Sequence, residues 1–176
     1  SHRWRNVDNS AGYVASRLAP GTSLLDVGCG PGTLTVDLAR RVAPGRVVGI
    51  DSAEAIVRQA TSDRPRDVAN VEFRVGNVYE LDFGSGTFDF VHAHQVLQHL
   101  DDPVAALREM RRVCRTDGSV VARDADYGAM TWYPADDRLA RWLASYRAVA
   151  AANGGQPDAG RYILEWAHDA GLTHVE

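Results

Sequence analysis

The sequence predicts an α/β domain, a doubly wound parallel sheet in the order 3-2-1-4-5 with helices on both faces and a helical cover behind it. Three observations predict it. Apolar runs of strand length alternate with segments of about ten residues whose apolar positions recur at helical spacing, the mark of strand–helix–strand units. The first run ends in a glycine cluster that opens a helix, and the second ends on an acid, Asp51.

Ser23-Leu24-Leu25-Asp26-Val27 is the first strand, and Thr33 to Val42 carries Leu34, Leu38, Ala39 and Val42 on one helical face. Arg46 to Asp51 is a second buried strand, and Ala53 to Ala60, with Ile56, Val57 and Ala60, the next helix. Val71 to Val75 alternates apolar and polar residues, as an edge strand does. Phe88 to His94 and Ser119 to Asp124 complete the sheet. Between them a helix starts with Asp102 at the N-cap and Pro103 in the first turn, and its buried face is read as Val104, Leu107, Met110, Val113 and Cys114. Arg138 to Ala152 and Gly160 to Ala170 read as two further helices around an Asn153-Gly154-Gly155 turn, and Thr173 to Glu176 as the start of a strand. In a sheet of this order, ligands sit at the carboxyl ends of the strands near the switch point between strands 1 and 4.

The 176 residues, 45% hydrophobic and 24% charged, suit one globular domain with a core. No apolar run reaches the roughly 18 residues of a membrane span, so the protein is read as cytoplasmic. Ser1-His2-Arg3-Trp4 has no signal-peptide core and reads as a tag remnant. All 19 basic residues are arginines, which excludes Schiff-base and pyridoxal-phosphate chemistry and a phosphate-loop lysine. A net charge of −4 argues against a nucleic-acid partner, and Arg108, Arg111, Arg112 and Arg115 read as the solvated face of a helix. Two cysteines, Cys29 and Cys114, make neither a disulfide framework nor a zinc cluster, and no metal is expected.

The chemistry lies in Asp26-Val27-Gly28-Cys29-Gly30-Pro31-Gly32, at the junction of strand 1 and helix 1. Glycines let the backbone turn and approach a ligand, while the helix start presents free N–H groups. The spacing is GxGxG, with Thr33 where a dinucleotide site prefers a third glycine or an alanine. Asp51 is placed to accept hydrogen bonds from a ribose, which nicotinamide and adenosyl ligands both carry.

Asp26 to Gly32 followed by Thr33-Leu34-Thr35 resembles motif I of class I S-adenosylmethionine (SAM)-dependent methyltransferases. The resemblance continues through Val48 to Ser52, Gly76-Asn77-Val78 and Thr87 to Leu100, where it is closest to the small-molecule branch that includes the ubiquinone and menaquinone biosynthesis enzymes. The family's fold is Rossmann-like, and its cofactor is SAM, released as S-adenosylhomocysteine. Carried over by position, the resemblance implies that Asp26, Gly28, Cys29 and Gly30 hold the methionine moiety and Asp51 the ribose. Ser52, Asn77 and Val78 would meet the adenine, and Ala93 and His94 the floor near the sulfonium. Tyr13 would face that cation. His94 is the candidate base, with shaping of the pocket as the alternative role; His92 is read as facing the helix layer and His99 a helix surface.

The resemblance further divides the one domain into an N-terminal lid (1–22), a core (23–125) and a helical cover (126–176). The family's sheet continues with two more strands. The chain is therefore read as truncated at its C-terminal end, or as covered by a second subunit, a homodimer, over Val120 and Val121. The aromatics outside the core, Trp4, Tyr13, Tyr127, Trp132 and Tyr133, suit a lid that excludes water and binds a flat or apolar acceptor, while Trp142 and Tyr146, at helical i, i+4 spacing, read as the packed interior of the cover. Asp124 and Asp126, just past strand 5, read as structural loop acids, with a base or acceptor-orienting role as the alternative. The expected reaction is methyl transfer to a small organic acceptor. An NAD(P)-dependent oxidoreductase and a catalytically silent SAM-binding module are the alternatives.

Overall fold

A computed structural model describes residues 4–176. Ser1 to Arg3, of the stretch read as a tag remnant, lie outside the described residues, and Trp4 is exposed. Five parallel strands run in the order β3-β2-β1-β4-β5, as expected: β1 (Leu24–Val27), β2 (Val47–Asp51), β3 (Val71–Val75), β4 (Phe88–His94) and β5 (Cys114–Arg123). The helices are α1 (Val7–Ser10), α2 (Gly12–Ala15), α3 (Thr33–Val42), α4 (Glu54–Asp63), α5 (Pro103–Val113), α6 (Asp137–Ala152) and α7 (Ile163–Asp169). Among the described residues no helix is long and apolar enough to cross a membrane.

Successive residues of the central strands point to opposite faces, so the core has two halves. Leu25, Val27, Val48, Ile50, Val91 and Ala93 pack with Ala106, Leu107, Met110 and Val113 of α5. Leu24, Val47 and Phe90 pack on the other side with Val7 and Val14 of the N-terminal helices and Leu34, Leu38, Ala39 and Val42 of α3. That second face carries Asp26 and His92, which are register partners on β1 and β4.

Most elements lie where the pattern placed them. α3 has the expected bounds, and Asp102 caps α5, its side chain accepting from Ala105 N at 2.9 Å. α4 runs three residues further than expected, to Asp63, and the Thr61 hydroxyl donates back to Val57 O. On α5 Ala106 is fully buried beside Leu107, Met110 and Val113, while Val104 is only partly buried. Cys114 belongs to β5, which starts five residues earlier than expected. Phe88 pairs with Cys114 but Phe90 with Ser119, so β5 carries a bulge between them. Gly118 permits it, because a Cβ there would lie 2.5 Å from Asp89 O.

The last third departs more. The expected helix over 160–170 divides into a 3-10 turn at Ala159–Arg161 and α7. α6 buries none of its residues: Trp142 is 50% exposed, stacking on Tyr146, so these rings are not a packed interior. Thr173 to Glu176 forms no strand, and β5 has no partner beyond β4 among the described residues. Val120 and Val121 are nonetheless half-buried, each packing against one half of the core, so the open edge is a matter of backbone rather than side chains. The arginine face is not simply solvated either. Arg108 and Arg111 donate to the carbonyls of Asp169 and Ala170 at the end of α7, and Arg112 holds Glu109 and the carbonyls of Leu81 and Phe83.

Candidate active site

A cleft of about 250 Å³ opens at the carboxyl ends of β1, β2 and β4, at the switch point. It is lined by Asp26, Gly28, Cys29, Gly30, Asp51 and His94 of the expected set, and by Arg5, Gln95 and His99, which sequence reasoning left out or placed elsewhere.

The three glycines of the turn serve different ends. All have positive φ, +66°, +54° and +78° for Gly28, Gly30 and Gly32. A Cβ on Gly28 would strike Val96 at 2.5 Å, and one on Gly32 would strike the Phe73 ring at 2.5 Å. Those two are glycines for packing. A Cβ on Gly30 would meet nothing within 4 Å and would project into open space, so Gly30 is the position that lets a ligand lie against backbone. The turn is held from within: Cys29 N–H donates to Ile50 O at 2.8 Å and Gly30 N–H to Asp51 Oδ2 at 3.0 Å. Those two amides are committed, and the turn meets a ligand with its surface and its other backbone groups. Asp51 Oδ1 also accepts from Ala53 N, which fixes the carboxylate over the turn. Burial, then Asp26 and Asp51, pushes the Cys29 thiol up, so it is a protonated wall and not a nucleophile.

Asp26 is nearly fully buried, its two oxygens accepting from the Thr35 hydroxyl (2.6 Å) and bonded to His92 Nδ1 (2.8 Å). His92 does face the helix layer, but it is no passive core residue. Its Nε2 lies 2.9 Å from the Tyr13 hydroxyl, which is also 3.2 Å from His94 Nδ1. The Tyr13 ring stacks on both imidazoles, at 6.1 and 6.4 Å between centroids. Burial, then His92, Arg5 and Arg123, holds the His94 imidazole down to about 4, so it is neutral at physiological pH. Burial, then Asp26, pushes the Tyr13 phenol up, so it keeps its proton.

Other expected residues stand apart from the cleft. Ala93 is fully buried in the α5 half of the core, because it alternates with His94 and faces the opposite way. Ser52 is exposed beyond Asp51. Asn77 and Val78 follow β3; the Asn77 side chain accepts from Tyr79 N, and the segment adjoins Asp51 through the Gly76 N–H to Asp51 O bond. His99 is in a 3-10 turn and lines the cleft rather than a helix surface.

Asp124 accepts from the backbone N–H groups of Leu97 and Gln98, and Asp126 caps a 3-10 turn and pairs with Arg161. Arg5 could not have been found from sequence, since it reaches the cleft only through a tertiary bond to Gln95 Oε1 (2.8 Å). Gln95 had a weak signal, being the residue that leaves β4, and its φ is +58°, unusual for a non-glycine.

The doubly wound sheet with its glycine-lined cleft is the arrangement expected of class I SAM-dependent methyltransferases, and comparison with known proteins places the chain in a methyltransferase family. A family model described as methyltransferase domain matches residues 18–171. An uncharacterized methyltransferase of Schizosaccharomyces pombe is 38% identical over 177 residues, covering 97% of this chain and 63% of that protein. A demethylmenaquinone methyltransferase of Lactococcus lactis is 34% identical over 115 residues, covering 64% of this chain and 46% of that one. The fold is shared with a SAM-dependent methyltransferase from Aquifex aeolicus at a TM-score of 0.63 and 21% identity, over 82% of this chain and 80% of that one. The chain belongs to the methyltransferase domain family, with SAM as its cofactor. It spans less than two thirds of the length of either curated relative.

Proposed function

We propose that the protein transfers a methyl group from SAM to a small organic acceptor of the quinone or secondary-metabolite kind. The observation that carries the reading is Gly30, a left-handed glycine with open space where a side chain would stand, facing the cleft beneath Asp51. The likeness to a demethylmenaquinone methyltransferase supports the acceptor class, and the net charge of −4 weighs against nucleic acid.

When bound, SAM supplies an electrophilic methyl group and its own leaving group. The chain's part is to bind, orient and keep water out, the proximity effect that accounts for roughly 7–11 kcal/mol of a barrier. In this reading Gly28, Cys29 and Gly30 bed the methionine moiety. Asp26, already anchored by Thr35 and His92, turns its remaining lone pairs to the methionine ammonium. Asp51, anchored by two amides, accepts from the ribose hydroxyls, and Ser52, Asn77 and Val78 border the adenine side. Residues 1–22 cover the site as a lid, through Arg5 and Tyr13; 23–125 form its core, and 126–176 close over the acceptor side. His94 is the base for an acceptor that arrives protonated, a role worth about 10²–10⁴-fold.

Calorimetric titration with S-adenosylhomocysteine and, separately, NAD tests the reading. Saturable binding of the first alone is expected; binding of NAD alone overturns it. Turnover of SAM with a metabolite extract then separates an active enzyme from a silent binding module.

A further inference from the structure

The cluster around Tyr13 assigns a direction to proton movement. Starting from the buried carboxylate, each proton position follows by elimination. Asp26 only accepts, so His92 Nδ1 carries hydrogen. With the single ring hydrogen of the imidazole on Nδ1, Nε2 accepts, and the Tyr13 hydroxyl donates to it at 2.9 Å. Tyr13 has then spent its one hydrogen, and its oxygen accepts from His94 Nδ1–H at 3.2 Å. His94 is thereby held in the Nδ1–H tautomer, with the lone pair of Nε2 left for a ligand in the cleft it lines.

We propose that Asp26, His92, Tyr13 and His94 form a proton relay, in which His94 Nε2 takes the acceptor's proton and the positive charge comes to rest on His92 against Asp26. This rests on the methyl-transfer reading above and goes beyond it by giving Tyr13 and His92 a part in moving the proton. The balance is complete. As the carbon–acceptor bond forms and the carbon–sulfur bond breaks, with its electron pair going to sulfur, the acceptor's proton passes to His94 Nε2. His94 Nδ1–H passes its proton to Tyr13 Oη, and the hydroxyl proton of Tyr13 passes to His92 Nε2. Tyr13 and His94 end neutral, His94 in the opposite tautomer, and His92 ends as an imidazolium. The relay runs backward to solvent once product has left.

The surroundings favour that end point. A cation on His94 would face the guanidiniums of Arg5, from the N-terminal segment, and Arg123 of β5. A cation on His92 instead lies 2.8 Å from the Asp26 carboxylate on β1, itself braced by Thr35 of α3. Tyr13 also sees Arg123 and Asp124. An imidazole that holds protons poorly can then act as a base, because the proton is not kept there.

The test is long-range proton–nitrogen correlation NMR on the ¹⁵N-labelled chain, free and saturated with S-adenosylhomocysteine. At neutral pH both His92 and His94 are expected as Nδ1–H tautomers. In any sample where His92 is found doubly protonated, His94 should be found as Nε2–H. Tyr13→Phe should abolish this coupled switch while both histidines remain in place. His94 found as Nε2–H at neutral pH, or still as Nδ1–H where His92 is doubly protonated, overturns the relay even if S-adenosylhomocysteine binds. Failure of S-adenosylhomocysteine to bind while the coupled switch is present overturns the methyl-transfer reading on which the relay's purpose depends.

Discussion

At the scale of single residues, the site separates glycines kept for packing from one kept for a ligand. Gly30→Ala adds a Cβ to open cleft space at a left-handed φ. It is expected to cost about 1–2 kcal/mol of stability and to lower S-adenosylhomocysteine affinity by about tenfold or more, read by calorimetry on the folded variant. Gly32→Ala adds the same strain and drives a methyl into Phe73, so its loss should be larger, about 2–4 kcal/mol in denaturant unfolding. Equal effects of the two on stability would remove the distinction. Asp51→Ala should weaken S-adenosylhomocysteine binding by about 1.5–3 kcal/mol, through lost ribose contacts and a loosened Gly30 amide. Unchanged affinity would take Asp51 out of the site.

At the scale of elements, the helices divide into those held by burial and those held by polar clamps. α5 has both an apolar face and a capped start, and Asp102→Ala should cost about 1 kcal/mol, a fall in Tm of about 2–4 °C. α7 is short and fully buries only Ala167; Ile163 and Trp166 pack partly buried against the core, and Arg108 and Arg111 clamp the carbonyls at its end. Replacing both by alanine should lower hydrogen-exchange protection across 163–169 by about 0.3–1 kcal/mol per arginine, with β1 and β4 unaffected. Protection lost evenly across the sheet would show that α7 is not a separate unit.

At the scale of the whole molecule, two buried titratable groups pull stability in opposite directions. Burial raises Asp124 to about 6, so between its ordinary value near 4 and 6 the folded protein binds more protons than the unfolded chain. Its contribution is greatest in acid and falls as pH rises through that window. His94 is lowered to about 4 from 6.5, so the unfolded chain binds more protons between those values. Its contribution is present above about pH 6.5 and is lost as pH falls to 4. Between pH 4 and 6 these two groups therefore oppose one another. Relative to the parent, His94→Gln should turn the slope of stability against pH downward and Asp124→Asn should turn it upward, each by at most about 1.4 kcal/mol per pH unit, measured by chemical unfolding across the range. Parallel profiles for the two variants would show that neither group is buried as described.

The strand order, the bounds of α3, the cap of α5 and the position of the cleft were legible in the sequence, because each depends on local periodicity, a side chain bonding its own backbone, or glycines at a strand end. The expected cofactor residues of the turn and Asp51 follow from the same locality. What the tertiary structure alone decided is which of these residues share a space and which hydrogen bonds they exhaust. Strand pleating sends His94 to the cleft and Ala93 to the opposite core. Arg5 and Gln95 meet across 90 positions of chain, and Tyr13 meets His92 across 79. The Asp26–His92–Tyr13–His94 chain exists only because parallel pairing sets β1 beside β4 and the N-terminal helices pack over both. Contacts between distant residues carry no sequence periodicity, since they arise from the packing of elements and not from any pattern within one.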